Sequence, residues 1–361
     1  MSDVRYWLGF NLVSGIGPVG VLRLLRHFGD LEAAWKTNAA TLRAVGLRQD
    51  GLEQLITRRS HMDLDAELDK VKAAGVHIVT WDDEGYPSLL KSIDQSPPLL
   101  YVRGNILPDD AFALAIVGTR KATDYGMEVT RRLASELAES RVTVVSGMAL
   151  GIDGTAHRAA LDAGGRTIAV FGCGLDTIYP PQHHKLARRI ARSGALISDY
   201  PLGTAPEPNN FPPRNRIISG LSLGTLVTEA GIKSGALITA RFALDQGRET
   251  FAVPGNIRSH TSAGTNALIQ RGEAKLVTCV VDILEELNLT MISQQKEVRT
   301  IVPDTPMEET LLGYLGAEPV HLDEIVRGSG LSTASVSSTL CMMELKGMVR
   351  RVDSMSYVLA H

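Results

Sequence analysis

Between residues 208 and 222 the chain reads PNNFPPRNRIISGLS, and this stretch concentrates the most recognition chemistry into the fewest positions. Phe211 precedes a proline-stiffened turn, followed by Arg214, Asn215 and Arg216. An aromatic ring beside guanidinium groups offers a face on which a nucleobase stacks, with cations at hand for the phosphate. The same residues also fit a plainer role, with Phe211 anchoring a core and the arginines bridging loops to a sheet. At least one of the two arginines is expected to play that structural part.

Four further turns carry residues of the same kind. In AIVGTRKATDYG, residues 115–126, Gly118 lets the backbone approach a ligand, and Arg120 and Lys121 sit where a phosphate would be met. Thr123 or Asp124 is placed to cap the next helix. In SGMALGIDGTAHRAAL, residues 146–161, Ser146, Gly147, Gly151 and Gly154 leave amide groups uncovered at a helix start, an arrangement suited to phosphate. Asp153 would repel a phosphate and is expected to orient this loop, while His157 is expected to be packed. In AVFGCGLDTIYPPQHHKL, residues 169–186, Gly172 and Gly174 form a small-residue turn, and Tyr179 opens a rigid diproline loop. Lys185 is within reach of a phosphate or simply solvated. In the last, residues 223–256, Glu229, Ser234 and Gly235 fall at a strand end and a helix start, with Thr239 and Arg241 as further candidates.

Enzymatic signatures are sparse. There is no G-x-x-x-x-G-K-[ST] loop, and the first strand turn lacks the G-x-G-x-x-G fingerprint; GCGLDT resembles its beginning without the third glycine. His183 and His184 are adjacent, so their side chains diverge and do not share a metal easily. Cys173, Cys279 and Cys341 are widely spaced, which argues against both a disulfide framework and a cysteine zinc site. No catalytic residue, metal or cofactor is assigned.

These turns need a scaffold. Short apolar runs (ALAIVG, VTVVSG, TIAVFG, ALISDY, LGTLVTE, TFAVPG, AKLVTC) alternate with segments of helical length from residue 112 onward. That alternation implies an α/β domain, a Rossmann-like doubly wound parallel sheet covered on both faces over residues 112–288. Residues 1–65 read as a small helical domain, in which Gly15, Gly17 and Pro18 turn the chain into a helix with Val21, Leu24, Leu25 and Phe28 on one face. Residues 66–111 read as a connecting helix, a short HIVTW strand and an extended SPPLLYVRGN connector. Residues 289–306 read as a linker, and 307–361 as three helices with a hairpin, the pattern of a winged helix.

The 361 residues carry a net charge of −3, unevenly distributed. Residues 1–60 have 8 Lys/Arg against 5 Asp/Glu, and residues 305–361 have 4 against 7. A polyanion must therefore be held at a local site, not on a broad basic face. No run of about 18 apolar residues predicts a membrane span, and MSDVRYWLGF does not read as a secretory leader. A cytoplasmic location is expected.

VGTRKATDYG, SGMALGIDGTAHRAAL, FGCGLDTIYP, FPPRNRIISGLS, EAGIKSGALITARFALDQGR and VPGN closely resemble, in order, the motifs of the DprA (Smf) family, and TNALIQRGEA extends the match. The flanking segments resemble the family's accessory domains: a sterile-alpha-motif or helix-hairpin-helix-like module and a winged helix. The resemblance implies a cytosolic bacterial protein that binds single-stranded DNA, forms a homodimer, and loads the RecA recombinase during natural transformation without being an enzyme. By position it implies DNA contacts at Arg120 and at Phe211, Arg214, Asn215 and Arg216. Some relatives place a lysine shortly before that phenylalanine; here Pro208 or an asparagine stands there, and Lys185 or Lys121 would have to compensate. GIGPVG resembles a hairpin loop that holds one DNA phosphate through backbone amides, or else merely packs. The winged helix offers Ser332, Ser335 and Ser338 with only Lys346, which favours contact with protein over duplex. Two alternatives remain open. One is a nucleotide-processing enzyme of the LOG type, whose loop SLGTLVTEA loosely resembles, and the other a winged-helix regulator of duplex DNA.

Overall fold

In a computed structural model of the protein, the described residues are 3–289, 305–316, 319–345, 349–351 and 355–359. They fall into two compact units, Met1–Leu287 and Asn288–His361.

The first unit is organised by a nine-stranded sheet. Its strands are β1 (His77–Thr80), β2 (Leu99–Gly104), β3 (Ala113–Val117), β4 (Thr143–Ser146), β5 (Thr167–Val170), β6 (Ala195–Ser198), β7 (Gly224–Val227), β8 (Glu249–Ala252) and β9 (Lys275–Leu276). Their spatial order is β1-β2-β6-β5-β4-β3-β7-β8-β9. From β3 to β9 all pairings are parallel. The chain steps from β3 outward through β4, β5 and β6, then returns to the other side of β3 for β7 and β8. The strand order thus reverses between β3 and β7, and a crevice opens at their carboxyl ends.

The apolar runs of β3 to β8 become interior strands because both faces of each are covered, whereas AKLVTC supplies the exposed edge strand β9. Along β5 and β6, Ile168, Val170, Ala195 and Ile197 face one core, while Ala169 and Leu196 face another. The first core is closed by the helices Phe211–Gly220, through Ile217 and Ile218, and Ala236–Asp245, through Ala240. The second is closed by the helix His184–Ser193, through Leu186, Ala187 and Ile190. The N-terminal helices share this second core, since Trp7, Phe10 and Leu24 cluster with Tyr101 and Phe171. The Tyr101 hydroxyl donates to Asn11 Oδ1 at 2.9 Å, tying the helix Val4–Leu12 to β2.

The LLYVRG segment differs from its reading as a connector. It is β2, paired antiparallel to β6 on one side and to β1 on the other. Pro97 and Pro98 end just before it and remove no ladder donor from the strand itself.

The second unit has helices Pro306–Leu312, Leu322–Ser329 and Thr333–Leu345, with β10 (Val320–His321), β11 (Val349–Arg351) and β12 (Ser356–Leu359) in the order β10-β12-β11. Leu311, Ile325, Val336, Leu340 and Met343 form its core. This is the winged-helix arrangement. Of the expected linker, residues 290–304 lie outside the described residues, as does Lys346.

Candidate functional site

At the crevice between β3 and β7 lies a cleft of about 430 Å³. Its walls come from the loop after β3, the turn after β4, the first turn of the helix Phe211–Gly220 and the start of the helix Ala236–Asp245.

The loop after β3 is held from two sides. The Thr119 amide donates to the Glu229 carbonyl at 2.7 Å, and the Ile152 amide donates to the Thr119 carbonyl at 3.3 Å. Glu229 is buried, and its carboxylate accepts from the Thr123 amide and hydroxyl, each at 2.9 Å. Thr123 Oγ1 in turn caps the following helix, accepting from Gly126 N at 3.1 Å. Gly151, at φ +77°, lies so close to this loop that a side chain there would meet the Arg120 carbonyl at 2.7 Å. Arg120 and Lys121 are thereby presented to solvent from a fixed backbone.

Phe211 starts a helix. Pro212 and Pro213 occupy its first turn, where a missing N–H costs nothing and φ is already helical. The half-buried Phe211 ring has the Arg120 guanidinium 5.7 Å from its centroid and the Arg214 guanidinium also at 5.7 Å. The Tyr179 ring lies 5.6 Å away at an interplanar angle of 35°. Gly172 supports the ring from beneath, as a side chain there would meet Phe211 at 3.0 Å.

Arg214 is 5% exposed, and its Nη1 donates to the Gly147 carbonyl at 3.0 Å and to the Val170 carbonyl. Burial pulls its pKa down to about 10, with Asp153 opposing, so it remains a cation at neutral pH. Burial raises the pKa of Asp153, which Arg214 and the Ala149 and Gly147 amides counteract. Those amides donate to Asp153 Oδ2 at 3.3 and 3.1 Å. This differs from the expected open cradle, since two amides of the turn are already bound by its own carboxylate.

The structure therefore brings Gly118, Arg120, Lys121, Phe211, Arg214, Asn215, Ser234 and Gly235 to the walls of one cleft. Ser146, Gly147, Gly151, Gly172 and Gly174 do not line it; of these, Gly147 lies against Arg214, Gly151 against the Arg120 backbone and Gly172 against Phe211. The Ser146 hydroxyl donates to the Ile116 carbonyl at 2.6 Å, and Gly174 is buried with its amide on the Thr204 carbonyl. Lys185 is exposed on the helix His184–Ser193, outside the cleft. Arg216 also lies outside it, paired with Asp199 at 2.8 Å. Arg241 pairs with Asp245, whereas Thr239 does line the cleft. Tyr179 and Glu229 acquire larger parts than their sequence context suggested. The available signals were an aromatic before a diproline, and a lone carboxylate among small residues at a strand end.

Three cationic side chains and one carboxylate line the cleft, and Asp153 is already engaged by amides. Gly235 stands exposed at the start of the helix Ala236–Asp245, adding the positive end of a helix dipole. Such a site suits an anionic, planar ligand.

Nearby reactive groups are occupied. His157 is fully buried, with Nδ1 2.6 Å from Thr167 Oγ1, and burial depresses its pKa to about 3. His183 is buried, its Nδ1–H donating to the Met148 carbonyl at 3.0 Å, while His184 is exposed. Burial pushes the Cys173 thiol up to about 11. No G-x-S-x-G elbow is expected from the sequence, yet Gly220–Gly224 reads GLSLG and has that spacing. Ser222 there is buried, donates to the Ile218 carbonyl at 3.0 Å and leads into β7 instead of leaving a strand. Among the described residues no three His, Cys, Asp or Glu side chains are grouped to hold a metal ion. No described helix is long and apolar enough to cross a membrane.

Comparison with known proteins agrees with this architecture. Residues 77–288 match the family described as DNA recombination-mediator protein A, and residues 295–354 match the DprA winged helix domain. The chain is 37% identical to protein Smf of a Synechocystis strain, over 99% of this chain and 98% of that one. It superposes on the X-ray structure of DNA processing protein A from Streptococcus pneumoniae with a TM-score of 0.70 and 35% identity, covering 79% of this chain and 99% of that one. DNA processing protein A from Helicobacter pylori, a structure described for its single-stranded DNA binding mode, matches with a TM-score of 0.53 and 31% identity over 59% of this chain and 97% of that one. With its motifs, sheet topology and winged helix matched across nearly its whole length, the chain belongs to the DprA/Smf family of DNA processing proteins.

Proposed function

We propose that the protein grips unpaired DNA in the cleft at the carboxyl edge of the sheet. It acts as a cytoplasmic homodimer that shelters incoming strands and loads the RecA recombinase during natural transformation, with no chemical change to the DNA. The observation that carries this reading is the Phe211 ring, flanked by the Tyr179 ring and by two guanidinium groups, one of them exposed. A base stacked on such a ring gains about 1–3 kcal/mol whatever its identity. Arg120 and Lys121 meet the adjoining phosphates, and most of each cation's contribution comes from counterion release. A pocket for isolated bases would need donors and acceptors aimed at their edges. Stacking with cations instead fits a strand of any sequence.

The test is a titration with labelled oligothymidylate beside a matched duplex. The single strand is expected to bind more tightly, with a log–log salt slope near −0.7 per phosphate contact. Phe211→Ala is expected to cost about 1–3 kcal/mol of binding, and Arg120→Ala to weaken binding and shrink the slope. Folded variants at both positions that bind as the parent does would remove the cleft from the account.

A further inference from the structure

The helix His184–Ser193 carries Lys185, Arg188, Arg189 and Arg192 and no carboxylate. Its buried side is the apolar row Leu186, Ala187 and Ile190, so the cations all stand on the outer, exposed face. A solvated helix face ordinarily mixes charges, and other helices of this protein do so. Lys70 pairs with Glu67, Arg131 with Glu128, Arg241 with Asp245 and Lys36 with Glu32, each within one helix. In His184–Ser193 only Arg189 has an ion-pair partner among the described residues, Asp162 at 2.6 Å on the neighbouring helix.

Helix stability does not explain the pattern. Like charges three or four positions apart destabilise a helix by about 0.2–0.5 kcal/mol per pair. A lysine in the first turn also opposes the helix dipole. The placement is informative as well. Tyr179, whose ring lies against Phe211 in the cleft, is followed after four residues by the first turn of this helix. His183 fixes the join by its hydrogen bond to the Met148 carbonyl.

We propose that the outer face of the helix His184–Ser193 is a second phosphate-binding surface, which holds the backbone of the same unpaired strand as it leaves the cleft past Tyr179. The contacts are made by Lys185, Arg188 and Arg192. At 1.5 Å per residue, Lys185 and Arg192 are about 10 Å apart along the helix axis. A stacked strand presents a phosphate about every 3.4 Å, so this length meets about three of them. The surface carries no phenylalanine, tyrosine or tryptophan, and it reads length and charge, not base identity. The proposal rests on the reading of the cleft given above.

The experiment compares a labelled oligothymidylate of about five nucleotides, enough for the cleft, with one of about twenty. In the triple variant Lys185→Gln/Arg188→Gln/Arg192→Gln, glutamine keeps a helix propensity close to that of the residues replaced. Affinity for the long strand is expected to fall about tenfold or more at low salt, and its log–log slope to shrink by about 2, three contacts at 0.7 each. Between 50 and 200 mM salt the parent is then expected to lose about twentyfold more affinity than the variant. Binding of the short strand is expected to stay within about twofold, as is binding of both strands by Arg189→Gln, which removes a cation already paired. An unchanged slope on the long strand overturns the proposal. So does an equal loss on both lengths, or a loss from Arg189→Gln as large as from the other three together. If Arg120→Ala weakens binding while the triple variant does not, the cleft stands and the second surface falls. If the parent binds neither strand, the cleft reading itself has failed.

Discussion

At the scale of single residues, the two arginines that follow Phe211 have diverged in role. Both looked equally suited to contact a ligand. Because Pro212 and Pro213 open a helix instead of forming a separate turn, residues two apart point in nearly opposite directions. Arg214 turns inward onto two backbone carbonyls, and Arg216 turns to Asp199. The aromatic and cationic chemistry was thus legible in the residue types, whereas the inward or outward choice depended on where the helix began. Arg214→Ala is therefore expected to destabilise the fold by about 3–5 kcal/mol, since it strips a buried charge from its partners and leaves Asp153 uncompensated. Arg120→Ala, at an exposed position, is expected to weaken DNA binding with an unchanged melting temperature. Thermal melts run beside strand titrations separate the two; equal melting temperatures for the parent and Arg214→Ala would contradict the buried role. His157 supplies a pH dependence of known sign. Its folded pKa lies near 3, below the unfolded 6.5, so its contribution is intact above pH 6.5 and is lost as pH falls toward 3. At pH 5 the loss amounts to about 2 kcal/mol. Asp153, with a raised pKa, works in the opposite direction, so the comparison must be between the parent and His157→Asn. Urea unfolding at pH 7 and pH 5 should show a smaller drop in the variant; parallel drops would mean the imidazole is not held neutral.

At the scale of elements, the parallel strands β3 to β7 were readable because each is a short, largely apolar run buried on both faces. The antiparallel edge was not, as LLYVRG follows a diproline and has no helix to mark it as part of an alternating series. The loops could be located but not oriented, because their geometry is set by partners remote in the chain. Glu229, 106 positions beyond Thr123, fastens the loop that carries Arg120. Gly151 takes part in the same clamp from the next turn. Gly151→Ala would force a side chain into the Thr119 and Arg120 carbonyls at a positive φ, at a cost of about 1–3 kcal/mol. Gly75→Ala makes a useful comparison, since Gly75 also has a positive φ, +67°, but a side chain there meets only open space. Both variants are expected to lose stability, Gly151→Ala the more. Only Gly151→Ala is expected to weaken oligothymidylate binding as well, by displacing Arg120. Urea midpoints and strand affinities measured on both decide this, and parent-like binding by Gly151→Ala would show that the clamp does not set the position of the cation.

At the scale of the whole molecule, the division of charge assigns different work to the two units. The cleft and the cationic helix belong to Met1–Leu287, while residues 305–361 carry 4 basic residues against 7 acidic ones. In the winged helix, the helix Thr333–Leu345 would be the one to enter a duplex groove. Among the described residues its exposed side chains are Thr333, Ala334, Ser337, Ser338, Cys341 and Met342, none of them a cation. Nonspecific affinity for nucleic acid scales with the number of phosphates neutralised, and a face without cations contributes almost nothing to it. The exposed apolar side chains of this unit include Met307, Tyr314 and Met342, at 37%, 41% and 53%. A chain ending at Leu287 retains the sheet, both of its cores and the complete cleft. It is expected to bind oligothymidylate within about twofold of the full protein and with the same salt slope, because every phosphate contact is kept. Fluorescence titrations of the two proteins across salt concentrations provide the check. A slope reduced by about one phosphate contact or more in the truncated chain would place a DNA contact in the winged helix and revive the duplex-binding reading.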